Sequence, residues 1–169
     1  NDNVVGPVLT WYDTRPKQQL EKIISAMDIE HIYEITGIPA HSNYSINKIK
    51  WLQDNISNAH EGRKWLCLAE YIAFKLSGVK RSEYSLASRT MALNITEMNW
   101  DKQLITAAEL SPSLFSPLVQ AGEAIGTVAP DVSELTGLTA DTRVAIAGHD
   151  HMCGSVAVGL TSEDQILNS

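Results

Sequence analysis

The chain has 169 residues, of which 44% are hydrophobic and 20% charged. That suits a folded domain with its own core and excludes a disordered tail. The net charge is −7: residues 1–84 hold 10 basic and 10 acidic side chains, residues 85–169 hold 3 and 10. The acidic second half lacks the basic face that a nucleic-acid partner needs, and no apolar run is long enough to span a bilayer. Asn1-Asp2-Asn3 shows no leader pattern, so no signal peptide is expected. Two cysteines, Cys67 and Cys153, make no disulfide framework and point to a reducing, cytoplasmic setting. The acidity still allows a phosphorylated ligand held by backbone N–H groups or by Mg²⁺.

In chain order, Val4 to Trp11 reads as a strand, rich in β-formers but interrupted by Gly6-Pro7. Pro16 suits a first helical turn, and Leu20, Ile23, Ile24 and Met27 follow at helical spacing. Asp28 is placed to cap a second helix containing Ile32, Tyr33 and Ile35, with Gly37 as its stop. A polar loop runs from Gly37 to Tyr44. Ile46, Ile49, Leu52 and Ile56 form the stripe of a third helix. Trp65, Leu68, Ala69, Ile72 and Leu76 form that of a fourth, with Asn58 and Glu61 as its start signal and Gly78 as its stop. Trp51 and Trp65 read as core residues. Met91–Ile95 is a candidate short strand and Asp101–Leu110 a helix ended by Ser111-Pro112. Strand character returns at Ile125–Val128 and at Arg143–Ala147. Beyond the turn Gly148-His149-Asp150-His151, Cys153–Leu160 reads as a helix of small residues, and Asp164–Leu167 as one more strand.

A strand, a polar turn and a small-residue helix are how α/β proteins build sites at strand ends. Asp150 is therefore the first candidate: a general base toward a hydroxyl, a metal ligand, or a plain helix cap. His149, His151 and Cys153 around it offer a metal cluster, with both imidazoles on one face if the segment is extended, and hence a metal-dependent hydrolase as an alternative. No further ligands stand at zinc spacing, and His31, His41 and His60 are isolated. Trp11-Tyr12-Asp13-Thr14-Arg15 puts an aromatic face, a carboxylate and a guanidinium at one place, which can stack on and hydrogen-bond a polyol. The same residues also suit a half-buried Trp beside a surface ion pair. Tyr44 offers a phenol to a sugar, or an aromatic anchor at a helix start. There is no G-x-x-x-x-G-K-[ST], G-x-G-x-x-G, G-x-S-x-G or H-E-x-x-H. A loop cradling a nucleotide is thus not expected in these residues.

Several segments, in order, resemble the FGGY family of carbohydrate kinases, which includes glycerol kinases and xylulokinases. Gly6-Pro7 leading to Trp11-Tyr12-Asp13-Thr14-Arg15 resembles its W-x-D-x-R segment, and Tyr44-Ser45-Ile46-Asn47-Lys48-Ile49-Lys50-Trp51-Leu52 resembles its K-x-x-W-L helix. Tyr84–Met91 resembles D-x-x-A-S-R-T-x-L, Asn99-Trp100-Asp101 the tryptophan before the next helix, and Gly126-Thr127-Val128 the G-x-V hairpin. Gly148-His149-Asp150-His151 sits at the family's aspartate turn. The resemblance implies an α/β, actin-like or ribonuclease-H-like fold. Residues 1–169 would form part of the N-terminal, sugar-binding domain, incomplete for want of the first strands and first phosphate loop. The nucleotide-binding C-terminal domain would be absent, so the isolated chain is expected not to be a competent kinase. The implied reaction is ATP-dependent phosphorylation of a sugar or polyol. ATP and Mg²⁺ would be bound mainly by parts outside this chain. No nucleic-acid or membrane partner is implied, and a homodimer is compatible. By resemblance Asp150 is the catalytic base, His151 a substrate contact, and Trp11 and Tyr44 match residues that contact glycerol in glycerol kinases. Asp13 matches a carboxylate that binds substrate or shapes the loop. His149 departs from the usual small residue before the base. A non-catalytic sugar-sensing module is the remaining alternative.

Overall fold

A computed structural model describes residues 3–160 and 162. The chain divides into two compact units, one of residues 1–65 and 87–116, the other of residues 66–86 and 117–169.

The first unit is mostly helical. Helix α1 (Lys17–Ala26) follows Pro16, and buries Ile23. In α2 (Ile29–Thr36), Asp28 accepts from Glu30 N (2.8 Å), and Gly37 ends the helix at φ 67°. A Cβ on Gly37 would lie 2.7 Å from Ile95 Cδ1, so glycine fits both the backbone and the space. Helix α3 (Ser45–Asn55) buries Ile46 and Ile49. Strands β2 (Leu93–Asn94) and β3 (Asn99–Trp100) form an antiparallel pair, shorter than the run expected at Met91–Ile95. Helix α6 (Lys102–Ala107) is capped by Asp101, which accepts from Leu104 N (2.9 Å). Ile23, Ile32, Ile46, Met91, Leu104 and Ile105 are the heart of the core, each 1% exposed or less. Burying such a side chain stabilises the fold by about 1.5–3 kcal/mol.

Further expectations need correction. Val4–Trp11 is not a strand: among the described residues no strand pairs with it, Pro7 has no N–H to give, and Val4 and Val8 are 62% and 75% exposed. The fourth helix starts later than Asn58 and Glu61: Ala59–Glu61 form a single 3₁₀ turn of their own, preceded by Asn58. Trp65 precedes that helix and packs against the first unit's core.

In the second unit α4 (Leu68–Ser77) starts at Cys67, because Glu70 reaches back to accept from Cys67 N (2.9 Å); Gly78 ends it at φ 73°. Strand β1 (Ser82–Glu83) runs parallel to β4 (Leu118–Val119), and α5 (Tyr84–Ser88) follows β1 directly. Strand β5 (Ala124–Thr127) pairs antiparallel with β6 (Arg143–Ala145), with a bulge between Ala124 and Gly126. Helix α7 (Pro130–Thr136) joins them and is ended by Gly137 at φ 76°. Ala73, Val119, Val128, Val144 and Ile146 form this unit's core. Helix α8 covers Asp150–Ala157, starting three residues before the expected Cys153. The strand expected at Asp164–Leu167 lies outside the described residues. Among the described residues no helix is long and apolar enough to cross a membrane.

Candidate functional site

Asp150 stands where the chain leaves β6. Val144 and Ile146 hold the strand in the core, while Arg143, Ala145 and Ala147 face outward. Gly148 then turns the chain at φ 124°, and a Cβ there would lie 2.7 Å from Ser85 Oγ and 3.1 Å from Glu83 Oε2. Only glycine suits both conditions. His149 is the N-cap of α8, with no side-chain cap bond, and Asp150 is the first helical residue rather than the cap. A carboxylate in that first turn is favoured by the helix dipole. The Asp150 side chain is 85% exposed. Its Oδ1 accepts from His151 N (2.9 Å) and lies 3.1 Å from His149 Nδ1, while Oδ2 has no partner among the described residues. The carboxylate is thus aimed by its near oxygen and available through its far one.

His151 is exposed on the first turn of α8, with its ring 5.3 Å from that of His149. Cys153 is a free thiol. The metal cluster raised as an alternative does not form: among the described residues no group of three or more His, Cys, Asp or Glu side chains is gathered as a metal site would need.

The first unit holds the other three candidates. Trp11 is 76% exposed and meets Tyr12 edge-on at 5.5 Å. Asp13 accepts from Arg15 through the peptide N–H (3.0 Å) and through Nε, and forms a salt bridge with Nη2. That guanidinium, foremost, pulls the Asp13 carboxyl down to about 2. Arg15 in turn lies 4.2 Å over the Trp51 ring. Tyr44 is the N-cap of α3 with no side-chain cap bond, and the Ile46 N–H donates to the Thr90 carbonyl (3.0 Å). Its ring packs against the core, with the Arg89 guanidinium 5.2 Å away. One turn along α3, Lys48 donates to the Thr10 and Trp11 carbonyls. The same helix therefore holds Tyr44 and ties down the loop that carries Trp11 and Asp13.

Sequence reasoning gave no role to Lys48, Glu83 or Ser85, and named Gly148 only as part of the turn before Asp150. Lys48 stood inside a quoted motif, and a lysine on a helix face otherwise made of Ile46, Ile49 and Leu52 was a usable signal. Glu83 and Ser85 bond each other locally, but the bond from Ser85 to the His149 N–H joins residues 64 apart, which no local pattern encodes.

A model of the N-terminal domain of the FGGY family of carbohydrate kinases matches residues 1–157. The xylulose kinase and the gluconokinase of Bacillus subtilis (strain 168) are each 27% identical to the chain over 167 residues, 98% of it. The L-fuculokinase of Escherichia coli (strain K12) is 26% identical over 171 residues. The chain spans only about a third of their lengths, 33%, 33% and 36%. Among solved structures, the xylulose kinase from Lactobacillus acidophilus superposes with a TM-score of 0.83 at 23% identity, over 93% of this chain and 32% of that one. The glycerol kinase of Plasmodium falciparum gives 0.78 at 17% identity, over 88% and 30%. These likenesses bear out the fold expected from the motifs: the α/β, actin-like architecture of the sugar kinases.

Proposed function

The chain belongs to the FGGY family of carbohydrate kinases, and we propose that it supplies the sugar-side wall and the catalytic base of an enzyme that phosphorylates a sugar or polyol hydroxyl with ATP. The observation that carries this is the Asp150 carboxylate: it leaves a buried strand through a glycine-only turn, and one of its oxygens is open to a substrate.

In this reading Asp150 Oδ2 accepts the hydroxyl proton as the hydroxyl oxygen bonds to the γ-phosphorus and the bond to the β-phosphate oxygen breaks, releasing ADP. Phosphoryl transfer asks mainly for alignment and charge stabilisation, so one fixed carboxylate suffices on the acceptor side. His151, in the same turn of α8, offers an imidazole to a second hydroxyl. Trp11 offers an apolar face to sugar C–H groups, and Tyr44 a phenol. Asp13, already held by Arg15, keeps that loop in shape and shares its remaining lone pairs with a hydroxyl. Mg²⁺ bound to the nucleotide would offset phosphate charge.

The test is ADP release by the complete protein carrying this chain, with MgATP and xylulose, gluconate, fuculose or glycerol. The expected result is ADP release that depends on one of these acceptors. ADP release that none of them stimulates would contradict the reading.

A further inference from the structure

Glu83 is 2% exposed, yet it carries a carboxylate. Three donors converge on it: the Ser85 N–H (2.9 Å to Oε1, 3.0 Å to Oε2), the Leu86 N–H (3.1 Å to Oε2) and the Ser85 hydroxyl. A serine hydroxyl has one hydrogen. Given to Glu83, it leaves only lone pairs on Ser85 Oγ, and one of these accepts from the His149 N–H at 2.8 Å. That bond links residues 64 apart in sequence and ends on the peptide next to Asp150. Gly148 closes the arrangement, since a Cβ there would meet both Ser85 Oγ and Glu83 Oε2. His149 makes no side-chain cap bond of its own. The start of α8 is therefore held from outside, by a side chain whose direction the buried Glu83 side chain sets.

We propose that Ser85, oriented by Glu83, is a positioning residue for the catalytic base, fixing the Gly148–His149 backbone so that Asp150 meets the acceptor hydroxyl at one angle. This rests on Asp150 being the base. Neither residue touches substrate in this scheme; both act through Asp150. A small misplacement of a reacting group is enough to cost on the order of a hundredfold in rate, and the sugar contacts on the first unit are untouched by it.

The experiment is a double-mutant cycle in the complete protein, with MgATP and whichever of xylulose, gluconate, fuculose or glycerol it turns over. Ser85→Ala is expected to lower kcat on the order of ten- to a hundredfold, with the sugar KM within about twofold of wild type. Ser85→Thr, which returns the hydroxyl, is expected to recover most of that loss. In an Asp150→Asn background, Ser85→Ala is expected to remove nothing further, because its effect passes through the carboxylate. Wild-type kcat in Ser85→Ala, or the same fold-loss in both backgrounds, would overturn the proposal. Should Ser85→Ala give no cooperative melt, Glu83→Gln replaces it in the cycle with the same expectation and the same overturning results. Asp150→Asn alone separates the two readings: full turnover there would defeat the base assignment itself, whereas a dead Asp150→Asn with a normal Ser85→Ala would defeat only the positioning role.

Discussion

The ammonium of Lys48 reaches 37 residues back along the chain to the Trp11 carbonyl (3.0 Å), and also takes the Thr10 carbonyl (2.7 Å). Lys48 is only 8% exposed, and burial lowers its pKa from the ordinary lysine value, with Asp13 opposing. Most of that loop is exposed, with a turn bond of its own from the Asp13 N–H to the Thr10 carbonyl (3.2 Å), and the two Lys48 bonds tie it to α3. Lys48→Met keeps the apolar stem and leaves both carbonyls without the donor. A loss of about 1–3 kcal/mol in unfolding free energy is expected, from hydrogen bonds made by a charged donor. In the ADP-release assay the proposed acceptor role predicts that KM rises more than kcat falls. Unchanged stability and KM would show that the loop is held by something else.

Trp11 tests the sugar wall in the opposite way. Its side chain contributes little to the core, being 76% exposed. Trp11→Ala should leave the melting temperature of the chain nearly unchanged and weaken acceptor binding several-fold, by loss of the stacking face. A large drop in melting temperature with unchanged binding would make Trp11 a packing residue.

Gly148 should tolerate nothing larger. Gly148→Ala meets a φ of 124° and two oxygens nearer than ordinary contact. Destabilisation by about 1–3 kcal/mol is expected from the backbone alone, together with loss of turnover as the α8 start shifts. Urea unfolding and an ADP-release assay check the two parts separately. Wild-type behaviour in both would mean that the turn has slack the structure does not show.

Glu70 gives the second unit a pH dependence. It is 1% exposed and caps α4, and burial pushes its carboxyl up from 4.5 to about 7 despite bonds from Cys67 N and Glu83 N. A carboxyl raised on folding binds its proton more tightly in the folded state. Its contribution is therefore complete below about pH 4.5 and is lost as the pH rises through about 7. The loss across that window is about 3 kcal/mol by linkage. Glu70→Gln should flatten the stability profile there, measured by urea unfolding at several pH values. Parallel profiles in the two proteins would contradict it.

How far the sequence carried these conclusions depended on the range of the interaction. Helix α2 was legible to its ends, because Asp28 and Gly37 act on neighbouring backbone. The start of α4 was misread because Glu61 and Glu70 compete as capping-box residues, and Cys67 is not among the preferred caps. Val4–Trp11 was misread because β-propensity describes a fit to a pleated surface and says nothing of a partner. Asp150 was visible as a carboxylate after a strand. Its position as first helical residue was not, because His149 is held by Ser85 rather than by a local cap. That bond, like the one from Lys48, joins segments far apart in sequence, and no local pattern encodes it.

The central claim is that Asp150 takes the proton of the acceptor hydroxyl. The most direct measurement compares wild type and Asp150→Asn in the complete protein, reading kcat with MgATP and, separately, acceptor binding by calorimetry. The account predicts a fall in kcat on the order of a hundredfold or more, as loss of a general base gives, with the acceptor dissociation constant changed by no more than about threefold. Equal losses in kcat and binding, or retained turnover, would contradict it.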